Sequence, residues 1–173
     1  MTMTKPLKLS SRLEGIAESA TLKLNATVTA MKAQGIDVVN LTAGEPDFNV
    51  PEAGKKAAID AVNSNKSKYT AVPGIPELRQ AISDKTNRQQ PELKEPVKPE
   101  NVVVTNGGKQ ALFNVFMAML DSSHEVLIPS PYWLSYPEMV RIAGATPRFI
   151  EAPLSQGFKI TPGQLRSAIQ ASR

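Results

Sequence analysis

Cysteine is absent from this 173-residue chain. That excludes disulfides and thiolate metal sites, and it fits a reducing compartment. Histidine occurs once, at His124, which sets aside a His-based metal site and a Ser-His-Asp triad. No apolar run approaches the roughly 20 residues that span a bilayer. Met1–Gly15 is polar and lacks the apolar centre of a secretory signal. A soluble, cytoplasmic protein is the expectation. Basic tracts are missing too. Lys55-Lys56 is the only adjacent basic pair, the net charge is a modest +4, and no aromatics interleave, so nucleic acid is not an expected partner. There is no internal repeat and no low-complexity segment. What remains is ordinary globular composition, 41% hydrophobic and 21% charged, at a length that suffices for one domain.

The most informative stretch is Val102-Val103-Val104-Thr105-Asn106-Gly107-Gly108-Lys109-Gln110-Ala111-Leu112. Three β-branched residues in a row suit a strand covered on both faces. Gly107 and Gly108 permit a sharp turn and leave the backbone open to a ligand. After Lys109, the residues Ala111, Leu112, Val115, Phe116 and Met119 recur at helical spacing. The pattern predicts a strand, a glycine turn and a helix whose first N–H groups face a crevice at the strand's carboxyl end. α/β sheets bind anions at such places. The stretch is neither a Walker A loop nor a G-x-G-x-x-G fingerprint. Two readings stand here, a phosphate cradle or a plain connection without ligand.

Elsewhere the chain predicts a loose arm over Met1–Leu9 and a helix from about Ala20 to Gln34. Leu22, Ala26, Thr29 and Ala30 are expected inward, with Gly35 as the stop. A short strand is expected over Val38–Leu41, then a loop over Thr42–Phe48. Helices follow from Pro51 to about Asn63, with Ala57, Ala58, Ala61 and Val62 as the apolar side, and from Pro76, with Leu78, Ala81 and Ile82 at helical spacing. Gln89–Pro99 is expected to be a connector with no element of its own. Glu125–Ile128 reads as a buried strand stopped by Pro129-Ser130-Pro131, Tyr132–Tyr136 leads into a helix ending at Gly144, and Phe149-Ile150 closes a third strand. Thr161-Pro162 opens a last helix carrying Leu165 and Ile169. Strands alternating with helices from residue 102 onward mean a doubly wound α/β sheet, and the series looks cut off.

Four stretches together resemble one family. They are Asn40–Phe48, Tyr69 with Gly74-Ile75-Pro76-Glu77-Leu78-Arg79, Thr105–Leu112, and Pro131-Tyr132-Trp133-Leu134-Ser135-Tyr136-Pro137. In this order and spacing they are similar to the N-terminal part of fold-type I, class I aminotransferases. The likeness is to the bacterial aspartate/prephenate aminotransferase subgroup and runs from about Ser10 to Arg173. It implies an α/β fold: the three-layer α/β/α, mostly parallel sheet of the large domain, truncated, with an N-terminal arm and part of the small domain. Residues 1–50 would be the arm and small-domain part, and 51–173 the first part of the large domain.

By the same resemblance, a homodimeric enzyme would move an amino group from an aspartate-like amino acid to a 2-oxo acid using pyridoxal 5′-phosphate (PLP). Gly107, Gly108 and Lys109 match the turn that holds the cofactor phosphate. Trp133 matches the aromatic residue stacked on the pyridine ring. Tyr69 matches the tyrosine that reaches the phosphate of the partner subunit. Gly44 matches a loop glycine touching the substrate carboxylate. Lys109 also matches a lysine near the distal carboxylate of a dicarboxylic substrate, and Arg12 falls in the segment near the site mouth. The resemblance places the Schiff-base lysine, the aspartate on the pyridine nitrogen and the carboxylate-binding arginine beyond this chain, so no catalytic residue is expected here and the chain alone is expected to be inactive. It also implies that Val102–Thr105 pairs with strands later in the chain, so that the isolated chain is expected to be unstable. Competing readings are a non-catalytic PLP-binding module and another fold-type I activity such as a C–S lyase. Aspartate is the first expectation for substrate, with prephenate/glutamate pairing second. Outside the resemblance, Asp47 is expected to cap a loop, His124 to be a turn residue, and Tyr136 and Arg141 to serve packing and surface.

Overall fold

The computed structural model describes residues 8–13, 16, 19–42, 44 and 46–171. Expectations falling on Met1–Leu7, Glu14, Gly15, Ala43, Glu45 and the last two residues lie outside these. The described residues form two compact units. One takes the chain up to Val38 together with everything from Leu112 on, and the other is Val39–Ala111.

The first unit holds the sheet. Strands β1 (Glu125–Ser130) and β2 (Thr146–Glu151) run parallel, with Glu125 opposite Thr146 and Ser130 opposite Glu151. Helix α5 (Ser135–Ile142) is their crossover and packs on both strands. Its apolar side explains why: Pro137, Met139 and Val140 are buried, and Val140 is fully so. Val140, Ile128 and Ala145 form the core, with Phe116, Leu120, Val126, Tyr132 and Tyr136 packed around them. The last helix, α6 (Pro162–Ala171), opens with a reciprocal cap. Gln164 N–H donates to Thr161 Oγ1 (3.2 Å), and Thr161 N–H donates to Gln164 Oε1 (2.8 Å). Gln164 Nε2 also donates to Glu151 O, which ties α6 to β2.

β1 continues through Pro129 to Ser130, contrary to the expected stop. The register shows how. Thr146 N–H donates to His124 O and Ala152 N–H to Ser130 O, so the even-numbered groups of β1 face β2. Pro129 is odd-numbered, and its missing N–H falls on the unpaired edge.

Helix α1 (Ala20–Ala33) forms with Ser19 as its N-cap and Gly35 beyond its end. Its expected inward residues are exposed, Leu22 at 70% among them. The helix rests on local capping rather than on a buried stripe: Leu22 N–H donates to Ser19 Oγ.

The second unit contains α2 (Glu52–Asn63) and α3 (Pro76–Gln89). The expected apolar side of α2 is not buried. α3 is pinned through polar groups. Buried Ser83 donates to Val97 O (2.7 Å), and Asn87 makes two bonds to the Val97 backbone. The connector after α3 carries a 3-10 turn, Pro99–Asn101, where no element was expected. Two expected strands do not form. Val102–Val104 is extended, but its backbone bonds go to a loop and a side chain, with no strand beside it among the described residues. Val38–Leu41 is likewise extended and unpaired, and the Asn40 side chain accepts from Thr42 N–H and Oγ1 to turn the chain. No helix among the described residues is long and apolar enough to cross a membrane.

Candidate functional site

Helix α4 (Gly107–Met119) starts at the glycine turn. Gly107 has φ +82°, a left-handed conformation that glycine takes without strain. The turn is held by its own neighbours. Gly107 N–H donates to Thr105 O (2.9 Å), Thr105 Oγ1 donates to Gly107 O (3.0 Å), and Asn106 N–H donates to Gln110 Oε1. A β-carbon built on Gly107 or on Gly108 would meet nothing within 4 Å, so there is open space over both. The N–H groups of a helix's first turn lack an i−4 carbonyl. No acidic side chain sits in this first turn to use them. The helix dipole adds about 0.3–1 kcal/mol for a negative charge placed there. Lys109 is exposed in the same turn and adds a cation. Together these groups have the chemistry to hold an anion.

Trp133 follows the carboxyl end of β1, as its place after Pro129-Ser130-Pro131 predicts. It forms one wall of an open cleft of about 470 Å³, together with Leu112 and Phe116 of α4, Ile128, Tyr132 and Tyr136. Trp133 meets Tyr136 edge to face, at 5.3 Å and 89°. It remains 44% exposed, so the indole keeps accessible surface. Tyr132, also a wall of the cleft, stacks on Phe149 at 4.8 Å. The cleft is apolar and aromatic, and suits a flat ring.

The remaining residues singled out from the sequence are placed differently. Tyr69 is fully exposed. Gly44 is exposed in its loop, and a β-carbon there would meet nothing within 4 Å. Arg12 lies in a 3-10 turn, Ser11–Leu13, that packs on α5. Arg141 pairs with Glu138 on the surface of α5. His124 Nδ1 lies 2.8 Å from Asp121 Oδ1 in the turn before β1, and neither residue lines the cleft. Asp121 titrates at about 2, below its ordinary 3.8, because the Ser123 hydroxyl and N–H donate to its carboxylate and His124 adds a further bond. Two contributors escaped the sequence reading. Thr105 closes the glycine turn through its hydroxyl and carbonyl, and Tyr136 is a cleft wall besides packing in the core. Their signal was only adjacency to Gly107 and Trp133.

These arrangements have counterparts among known proteins. The sequence model of the family described as "Aminotransferase class I and II" matches residues 36–173. The chain is 48% identical over 161 residues to the aspartate/prephenate aminotransferase of Thermus thermophilus, covering 93% of this chain and 41% of that protein. It is 42% identical over 163 residues to the aspartate aminotransferase of Bacillus subtilis, covering 94% of this chain and 41% of that protein. Among solved structures it is similar to the Thermus thermophilus aspartate aminotransferase with maleate, at a TM-score of 0.86 and 47% identity, covering 94% of this chain and 42% of that one. The chain therefore spans about two fifths of the length of the curated relatives it matches. Glycine turn, aromatic cleft and family match coincide in one sequence: the chain belongs to the aminotransferase class I and II family.

Proposed function

We propose that this chain supplies the phosphate-binding turn and the ring-stacking wall of a PLP-dependent aminotransferase acting on aspartate or a similar amino acid and a 2-oxo acid. The observation that carries the reading is the α4 start: open space over two glycines, first-turn N–H donors and an adjacent Lys109. The residues fit the cofactor. A phosphate dianion matches Gly107, Gly108 and Lys109, and a pyridine ring matches the half-exposed Trp133. When bound, PLP supplies the electron sink for amino-group transfer, and the protein supplies placement and electrostatics.

The chain's own residues then have distinct tasks. The glycine turn fixes the phosphate. Trp133 orients the ring and keeps water from one face. Lys109 offers a cation to the distal carboxylate of a dicarboxylic substrate, Gly44 offers backbone to the substrate carboxylate, and Arg12 stands near the mouth. Tyr69, exposed on its own protomer, serves the cofactor phosphate of a partner subunit in a homodimer. Aspartate is the first substrate proposed and prephenate/glutamate pairing the second, in line with the names of the relatives. A cytoplasmic location accompanies this reading.

The test is amino-group exchange by the whole protein between labelled aspartate and 2-oxoglutarate, with prephenate as a competing acceptor. Absence of exchange with any amino-acid donor would sink the reading. One observation favours a second, narrower reading for the chain by itself. Every described lysine is at least partly exposed, and none is desolvated as an amine nucleophile must be. By itself, then, the chain would bind PLP reversibly and transfer nothing.

A further inference from the structure

The motif Gly74-Ile75-Pro76-Glu77-Leu78-Arg79 has no task in the proposed chemistry, yet the structure joins it to the segment that leads into the glycine turn. Arg79 sits in the first turns of α3, half-buried, and its Nε donates to Val102 O (3.1 Å). Two residues on, Val104 N–H donates to Pro73 O (2.9 Å). Both bonds leave the same edge of the extended segment, because successive odd and even groups alternate. Gly74 completes the contact. Its φ is +106°, and a β-carbon there would lie 2.6 Å from Val104 Cγ2, so the Gly74 backbone lies against the Val104 side chain with no room for a side chain of its own. Beyond Val104 the bonding passes to Thr105, whose carbonyl and hydroxyl hold Gly107. A continuous series of hydrogen bonds therefore runs from Arg79 and Pro73 to the turn.

We infer that Arg79 is a positioning residue for the phosphate turn: by holding Val102, beside the Pro73–Gly74 contact to Val104, it sets where Gly108 presents its N–H and where the open space over Gly107 and Gly108 lies. This rests on the reading of that turn as the PLP phosphate site. Among the described residues Val102–Val104 has no neighbouring strand, and these two bonds, with that of Val102 N–H to Pro99 O, hold its direction. The guanidinium is suited to the task because its planar fork donates to a carbonyl with little side-chain freedom left to lose. Arg79 touches neither ring nor phosphate in this scheme. Its effect is expected only in the part of the affinity that the phosphate contributes.

The experiment compares binding of PLP with binding of pyridoxal, the same ring without phosphate, in the whole protein. The ratio of the two affinities isolates the phosphate. Arg79→Met is expected to lower that ratio roughly tenfold, equivalent to about 1.4 kcal/mol, with pyridoxal affinity unchanged. Arg79→Lys keeps a donor and is expected to recover part of the loss. If Arg79→Met does not yield folded protein, Arg79→Lys decides, with a ratio below wild type expected and a wild-type ratio overturning the inference. Equal weakening of both ligands also overturns it, since Arg79 would then support the fold in general. A wild-type ratio near one sinks the phosphate reading and this inference with it. A wild-type ratio well above one that survives in Arg79→Met sinks this inference alone.

Discussion

Replacing Gly108 by alanine separates stability from binding at the proposed phosphate turn. A β-carbon on Gly108 meets nothing within 4 Å, and Gly108, unlike Gly107, does not have a positive φ. The new methyl therefore causes no clash and no backbone strain. Alanine is better than glycine in a helix by about 0.5–1 kcal/mol. The whole protein is expected to melt unchanged or up to about 2–4 °C higher. The open space that makes the change harmless to folding is the space a phosphate would use. A methyl there displaces the anion from its donors, and each charge-assisted hydrogen bond lost is worth about 1.5–3 kcal/mol. PLP affinity is expected to fall at least tenfold, read by titration of cofactor absorbance. Gly107→Ala is the contrast. It also has room, but its φ of +82° would cost alanine about 1–2 kcal/mol, so this variant should melt lower. If Gly108→Ala binds PLP as wild type does, the phosphate lies elsewhere and the site reading fails.

Three further outcomes are expected. In the whole protein, Val140→Ala removes two methyl groups from the fully buried centre of the sheet unit and should destabilise by about 2–3 kcal/mol in urea unfolding, lowering the midpoint without altering the slope. Asp121 has a folded pKa of about 2 against an ordinary 3.8, so its favourable bonds are present above about pH 4 and are lost as pH falls toward 2; Asp121→Asn should flatten the acid limb of the stability curve in that window and leave neutral pH little changed. The purified 173-residue chain should form no oxo acid from aspartate and should show no cooperative thermal transition; a sharp calorimetric peak, or turnover dependent on substrate, would contradict both expectations.

Local rules read the helices well. Pro51, Pro76 and Thr161-Pro162 each mark a helix start, because proline costs nothing where the first N–H groups have no partner. The glycine turn and the place of Trp133 were also legible, since each depends on residues adjacent in sequence. Burial was not. Leu22 and Val62 have the spacing of inward residues and are exposed, because periodicity names a face and says nothing of what lies opposite it. The strand expected at Val102–Val104 failed for a related reason: β-propensity describes a fit to neighbours, and no strand lies beside it. Thr105, Ser83 and Asn87 were missed because their work is to bond backbone at distances set by the fold.

The unpaired edge of β1 and the exposed apolar residues have one physical meaning. The odd-numbered backbone groups of β1 point away from β2, and Pro129 removes only one donor from that edge. Leu127 still offers both N–H and carbonyl, enough to template another strand. Val39, Leu41, Phe48 and Val72 are among the large apolar side chains left in water. Surface of this kind is stable when other polypeptide covers it. The glycine turn needs none of that cover to form, because Thr105, Gly107 and Gln110 hold it by bonds within one turn. The glycine turn thus rests on bonds of its own, whereas the extended segment leading into it is held by Arg79, Pro73 and Pro99, residues of other segments.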